Sequence, residues 1–520
     1  MKVFFCTFLL GFPSLSLQNR RTSYLNNNSG ATGHRIITVN GKSRLVYMHG
    51  DMIMSKQSLM REQQLMSAPS RRKRWAYRDN FYPETIWQDG VPYEFDNSLS
   101  NISQASLTRA MDFWQENTCV SFRPRANESQ YILYTSENPG CFSTVGRDTS
   151  QPEQPVNIGR GCSHFGITSH EIAHALGLFH HQQRYDRDQY ITFNEEYVAF
   201  KYWMNFAKIP SKYLDTYDLP YDIGSVMHYT PTEFSENEYL PSLSPKNPDY
   251  VGTMGSMDEP SFLDVQIINR HYQCYDACNT TESKPRCLNG GYVNPRNCSI
   301  CKCPTGFGGD VCQLIASSAP IRCGGLIPTT SSLTRMRIRL TSAGARRKCV
   351  YHIRAPPNRR VMIGLQSVDG RCQEGCYTTA VEMKMIGDFR PVGYRFCCKS
   401  HWFRRMLSRG RNVPVIFFAQ NSTLDVTLFF RWVVRTPDAE DATYLNSTQL
   451  NEVYKQTDDD NGLEMEILQG PENSAVPGTR PKSKARPAPR GFIGKLGFDE
   501  SDYIGEFGSD GESYEDFSVY

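Results

Sequence analysis

Between His170 and His180 the chain reads His-Glu-Ile-Ala-His-Ala-Leu-Gly-Leu-Phe-His, which gathers three imidazoles and one carboxylate into eleven positions. On a helix, His170 and His174 stand one turn apart and point the same way. Ile172 and Leu176 fall about 200° round that helix, so one face packs on a core while the histidine face opens on a cleft. Gly177 can take the positive φ that ends a helix and turns the chain back, bringing His180 to the same point. Three neutral imidazoles with an open fourth position describe a catalytic zinc site, and zinc held in this way lowers the pKa of its water to about 7. Glu171 is placed to take a proton from that water and pass it to a departing amine, which is the chemistry of a peptidase. The bland alternative is a solvated helix with scattered histidines. Ordinary residue frequencies put the whole spacing, Gly177 and His180 included, at about one chance in tens of thousands.

The elements that must position these groups carry signals of their own. Ser225-Val226-Met227-His228-Tyr229 follows the helix, and together the two stretches resemble the astacins, a family of metzincin zinc endopeptidases. Trp87-Gln88-Asp89-Gly90-Val91-Pro92-Tyr93, Gly140-Cys141 and Gly161-Cys162 are similar to the same family, so the resemblance runs from near Trp75 to Cys274. It implies an α+β metzincin (astacin-like) catalytic domain over 75–276 holding one zinc ion. By that resemblance Met227 lies beneath the metal, Tyr229 is an additional, displaceable ligand that stabilises the transition state, and Cys119–Cys274 and Cys141–Cys162 are bridges. One position departs from the family. Astacins carry Glu after the third histidine, where it reaches the buried amino terminus of the mature enzyme, and this chain has His181. An imidazole does not attract an ammonium as a carboxylate does, so that anchor is in question. His181 is not expected as a ligand, because neighbouring side chains diverge.

Length and composition bound the rest. With 520 residues and a net charge of +3, the chain calls for several folded units and offers neither a nucleic-acid surface nor an acidic-substrate channel. Residues 1–17 have the form of a secretory signal peptide, with Lys2 ahead of the apolar run Val3 to Phe12. No later run is long enough to span a bilayer. Of 17 cysteines, Cys6 lies in that signal, which leaves an even number for an oxidising compartment. The expected location is secreted and extracellular. Sequons at Asn101, Asn127, Asn279, Asn421 and Asn446 are candidate glycan acceptors, and the one at Asn297 is weakened by Cys298 at its centre.

Residues 18–74 read as a propeptide that ends in Arg71-Arg72-Lys73-Arg74. A tetrabasic run is either a solvated loop or a furin-like convertase site, and cleavage after Arg74 would make Trp75 the mature amino terminus. Astacin pro-segments resemble Phe-x-Gly-Asp, whose aspartate takes the open zinc position. Met48-His49-Gly50-Asp51 matches except at Met48. Asp51 is thus a precursor-only metal ligand by resemblance, while a Gly-Asp turn is also common in plain loops.

After the protease, residues 277–313 hold six cysteines in a segment too short for a hydrophobic core. They resemble an epidermal-growth-factor-like module, with Cys278–Cys298, Cys287–Cys301 and Cys303–Cys312 as the implied pairs. Residues 323–436 alternate short strand-like runs with turn residues, the pattern of a β-sandwich. With Cys323, Cys349, Cys372 and Cys397 they resemble a CUB domain. Cys376 and Cys398 exceed the usual four cysteines, as a further bridge with each other or an exchange-prone neighbour. Arg404, Arg405, Arg409 and Arg411 cluster in the sequence, either as a polyanion-binding patch or as a solvated loop. Residues 437–520 are polar, with no core in view, and read as a disordered tail.

These readings combine into a secreted zinc endopeptidase, made as a zymogen and acting on extracellular matrix or cuticle proteins. Its domain order resembles the astacins of nematodes. The competing class is a catalytically inactive extracellular binding protein working through its growth-factor-like and CUB modules.

Overall fold

Helix α1 (Asn101–Asn117) starts where the Ser100 Oγ accepts the Ser103 N–H, and Leu107, Ala110, Met111 and Trp114 form its buried face. That face lies on helix α2 (Phe165–Ala175), and the Trp114 indole N–H donates to the Ser169 carbonyl at 3.2 Å. The computed structural model describes residues 45–48, 50–55, 76–77, 82–211, 214–237, 239–279, 284–318 and 323–434. The expected signal (1–17), the Arg74 site, Asn446 and the tail (437–520) lie outside the described residues.

Behind the two helices stands a seven-stranded sheet. Its strands are β1 (Leu45–Met48), β2 (Met52–Ser55), β4 (Val91–Phe95), β5 (Phe122–Pro124), β6 (Tyr131–Thr135), β7 (Cys141–Thr144) and β8 (Glu153–Ile158), in the order β1-β2-β7-β8-β6-β4-β5. Strands β8, β6, β4 and β5 run parallel, β7 is antiparallel to β8, and the hairpin β1–β2 adds to the free edge of β7, with Met52 opposite Ser143. The short strand β3 (Ala76–Tyr77) pairs outside this sheet, with Leu214–Asp215. Ile172, Leu176, Met227 and Trp114 share one hydrophobic core with this sheet. Helix α3 (Phe262–His271) begins with a reciprocal cap between Ser261 and Asp264.

The small cysteine-rich segment contains the bridges Cys278–Cys298, Cys287–Cys301 and Cys303–Cys312, and Cys119–Cys274 and Cys141–Cys162 cross the preceding domain. Its basic residues close the end of α1. The Arg296 guanidinium donates to the carbonyls of Gln115, Thr118 and Val120, and Lys302 to the Asn117 side chain, where the carbonyl end of a helix favours cations. On its other side Phe307 packs on His352 and Phe389 of the next domain.

That domain is a β-sandwich of a five-stranded and a four-stranded sheet whose inner faces share one core, including Ile338, Ile363, Val381, Val415 and Val426. One sequence reading is corrected here. Cys372 pairs with Cys398 and Cys376 with Cys397, alongside Cys323–Cys349, so neither a Cys372–Cys397 nor a Cys376–Cys398 bridge forms. Cys397 and Cys398 are adjacent in the chain, and the fold sends each to a different partner. In the arginine run, Arg409 and Arg411 are exposed, and the two preceding arginines diverge. Arg404 faces Asp249 of the domain that carries the seven-stranded sheet, at 3.5 Å, while its neighbour Arg405, on the opposite side of the strand, lies on the Met362 sulfur. Asn101, Asn127, Asn279 and Asn421 are all exposed. No helix among the described residues is long and apolar enough to cross a membrane.

One ionic cluster lies at the foot of the sandwich. The Glu382 carboxylate takes Arg395 at 3.0 Å, Lys384 at 3.4 Å and the Gly393 N–H at 3.0 Å. Burial pushes its pKa up, and the two cations with the N–H outweigh burial and hold it at about 2. The folded value is below the unfolded one, so this stabilisation is complete above about pH 4.3 and disappears as pH falls towards about 2. Glu382→Gln is therefore expected to cost about 3 kcal/mol at pH 7. The gap between its thermal melts and those of the parent should close by about pH 2, and a gap independent of pH would contradict the assignment.

Candidate metal centre

Helix α2 carries His170 and His174 on one face, and Gly177, at φ 102°, reverses the chain just beyond its end. His180 then returns to the same place. The three rings lie with centroids 4.6 Å (His170 to His174), 4.7 Å (His174 to His180) and 5.3 Å (His170 to His180) apart. A fourth group joins them from the β1–β2 hairpin. The Asp51 carboxylate lies 3.4 Å from His170 Nε2, 3.5 Å from His174 Nε2 and 2.9 Å from His180 Nε2. All four residues are buried, and one ligand atom from each lies within 4.8 Å of every other.

Hydrogen bonds at the far side of the rings set their tautomers. His170 Nδ1 lies 2.8 Å from the Val226 carbonyl and His174 Nδ1 2.6 Å from the Leu178 carbonyl. A carbonyl only accepts, so each Nδ1 carries the proton and each Nε2 presents a lone pair to the cluster. Burial lowers the pKa of His174 and takes that of His180 down to about 3, which favours the neutral form of these two rings. Both Asp51 oxygens and His170 Nε2 are buried acceptors without a hydrogen-bond donor. Three neutral imidazoles and a carboxylate are the donors zinc takes, and a cation satisfies these orphaned acceptors at once.

The Ser225–Tyr229 turn is fixed from below. The Asp264 carboxylate accepts the Ser225 hydroxyl at 2.5 Å, the Val226 N–H at 3.0 Å and the Ser261 N–H at 2.8 Å. Val226 is the residue whose carbonyl orients His170, so the cap of α3 reaches the cluster in two steps. Met227 is fully buried and its carbonyl accepts the His181 N–H at 2.8 Å. Tyr229 packs its ring 4.5 Å from that of His180, and its N–H donates to the Gln182 side chain. Asp264, Gln182 and Asp222 have no signal in a linear motif. Ser261-x-x-Asp264 reads as a helix start, and nothing in its spacing points to the turn it supports.

Glu171 is fully buried next to His170, and neither of its oxygens has a hydrogen-bond donor. Burial first, and then the Asp51 charge, push its pKa well above the carboxylate range. Gly50 precedes the Asp51 carboxylate at φ 88°, and a Cβ there would lie 2.4 Å from the Tyr229 hydroxyl. Only glycine lets the hairpin come this close. His181 points away from the cluster, and its Nε2 accepts the Asp222 N–H at 2.9 Å.

Comparison with known proteins agrees with this geometry. Residues 79–273 match the peptidase family Astacin. Zinc metalloproteinase nas-29 of Caenorhabditis elegans is 47% identical over 373 residues, 71% of this chain and 70% of that protein. Zinc metalloproteinase nas-23 of the same organism is 42% identical, over 83% of this chain and 81% of its own length. Among solved structures, High choriolytic enzyme 1, a hatching enzyme zinc-protease from Oryzias latipes (Medaka fish), is 32% identical and aligns with 38% of this chain and 98% of its own at a TM-score of 0.35. The cluster of buried imidazoles and the extent of the likeness to the two Caenorhabditis elegans proteinases lead to one conclusion: the chain belongs to the astacin family and is a zinc metalloproteinase.

Proposed function

We propose that the chain is a secreted, precursor-activated endopeptidase in which His170, His174 and His180 hold zinc, Glu171 carries the proton and Asp51 is the latch. The observation that supports this most is the Asp51 carboxylate seated among three buried imidazoles, on a hairpin that precedes the protease domain in the chain. Zinc bound there supplies the Lewis acidity that makes water a nucleophile near neutral pH.

Glu171 takes the proton of that water and delivers it to the departing amine, a role suited to a buried carboxylate beside His170 whose oxygens have no other hydrogen-bond partner. Tyr229 keeps its proton, because burial and the charges of Asp51, Glu233 and Glu171 raise its pKa well above the phenol range. Its hydroxyl is therefore a donor to the oxyanion that forms on the scissile carbonyl. Cleavage after Arg74 by a furin-like convertase frees the β1–β2 hairpin from the edge of β7. The exposed edge then accepts an extended substrate by strand addition.

Residues 18–74 are the propeptide and 75–276 the peptidase domain in this reading. The modules at 277–313 and 323–436 are growth-factor-like and CUB-like in the same reading, which the disulfide pattern and the β-sandwich support. The substrates are proteins of the extracellular matrix or cuticle, in keeping with an exported protease and with relatives from a nematode.

Two outcomes test the site. Asp51→Ala is expected to give the uncleaved precursor at least about tenfold more activity on a denatured matrix protein, equal to about 1.4 kcal/mol of barrier. A precursor that stays silent defeats the latch. In the convertase-cleaved enzyme, Glu171→Ala should lower kcat by about 10²–10⁴ while metal analysis still finds zinc bound. Cleavage insensitive to both this substitution and a zinc chelator excludes the assignment.

A further inference from the structure

The Ser225–Tyr229 turn has a second support, and it comes from the β-sandwich. Asp222 lies three residues before the turn, fully buried, and its Oδ1 accepts the Gly224 N–H at 3.2 Å and the Val392 N–H at 3.0 Å. Val392 belongs to the sandwich, just ahead of the strand Tyr394–Phe396. Its side chain rests on the backbone of Gly224, where an added Cβ would meet the Val392 Cβ at 2.5 Å and both its methyls within 2.8 Å. The Asp222 N–H donates to His181 Nε2 at 2.9 Å, the Asp222 carbonyl accepts the Ser225 N–H at 3.2 Å, and the His181 N–H donates to the Met227 carbonyl. Asp222 therefore connects Val392 to the residue after one zinc ligand and to the turn whose Val226 carbonyl orients another.

The seat is held in register on its far side. Thr253 Oγ1 donates to the Gly393 carbonyl at 3.0 Å and accepts the Arg395 N–H at 2.9 Å, and the Arg395 guanidinium reaches Ser256 at 2.8 Å. Each of these bonds is buried. Burial, with Asp264 nearby, pushes the Asp222 carboxyl up to about 6, and the Val392 N–H is one of the groups that pull it back. The sandwich thus contributes to keeping Asp222 in the charged form that holds both N–H groups.

From this chain of contacts we infer that the β-sandwich is a working part of the metal centre: Val392 and Asp222 are positioning residues for His180, His170 and the Met227 turn. The inference rests on the assignment of the three histidines to zinc. It requires that strain applied at the seat of Val392, at the junction between two domains, be felt as weaker zinc binding and slower turnover. A module that only tethers or targets the protease has no such effect.

The test uses the full-length chain after convertase cleavage. Gly224→Ala drives a Cβ into Val392 and is expected to weaken zinc binding about 10- to 100-fold in a chelator competition, the usual range for a lost support behind a metal ligand. It should lower kcat on a short peptide by a similar factor and leave KM within about twofold. Adding Val392→Gly to the same chain empties the seat and should restore both readings to within about threefold of the parent, a coupling that independent sites lack. A second pair covers the case in which Gly224→Ala fails to fold. Asp222→Ala removes the acceptor and should weaken zinc binding, whereas Asp222→Asn keeps an acceptor oxygen and should retain most of it. Parent-like zinc affinity in both Gly224→Ala and Asp222→Ala overturns the inference, as does a Gly224→Ala defect that Val392→Gly leaves untouched. A parent chain that takes up no zinc refutes the ligand assignment instead, so the two failures are told apart.

Discussion

Three imidazoles and a carboxylate are buried around one point, with a second buried carboxylate, Glu171, beside them. Leaving such groups unpaired in a low-dielectric interior costs several kcal/mol each, more than most single contacts return. The surrounding structure reduces that cost in two ways. It satisfies one nitrogen of His170 and of His174 with a backbone carbonyl, and it turns the remaining lone pairs to a common centre where one cation can serve them all. A site of this kind works only if it is rigid. If the rings drifted apart, each would seek a separate hydrogen-bond partner and the donor set would be lost. The helix, the reversal at Gly177, the Met227 turn and the Ser261–Asp264 cap are best understood as the parts that supply this rigidity.

Asp51 and Glu171 are coupled through the same electrostatics. Asp51 lies against all three histidines, and its charge adds to burial in raising the pKa of Glu171. In the proposed activation, departure of the hairpin removes that charge and leaves burial as the remaining cause. Gly50 makes the close approach feasible, because any larger residue would collide with the Tyr229 hydroxyl and hold the aspartate off the cluster.

What could be read from the chain before its structure was what depends on local spacing. His170, His174 and His180 belong to a single helix and its exit, so their offsets alone bring them together, and Ile172 and Leu176 reach the core as helical periodicity expects. The six cysteines of the small module pair as the family resemblance implied, a choice that spacing alone leaves open. In the sandwich the same kind of reasoning fails. Cys397 and Cys398 are neighbours, so proximity in sequence cannot choose between Cys372 and Cys376, and the choice falls to strand positions set by distant pairings. The arginine run is resolved in part for a related reason: a strand points successive side chains to opposite faces, which separates Arg404 from Arg405 although they are neighbours in sequence. Asp264 and Asp222 were unreadable because each acts on residues dozens of positions away.

His181 shows how one substitution changes meaning once its surroundings are known. As a departure from the family it weakened the case for an amino-terminal anchor. In the folded chain its ring accepts the Asp222 N–H and its own N–H meets the Met227 carbonyl, so it ties the third histidine of the cluster to the Ser225–Tyr229 turn. A carboxylate at this position would bring a third acid to Asp222 and Asp264, and burial already drives Asp222 up to about 6. A neutral imidazole avoids that repulsion, and burial itself keeps it neutral by lowering its pKa. The histidine, the buried aspartate and the sandwich residue that donates to it are therefore consistent choices, and changing any one of them alters the electrostatic problem the other two solve.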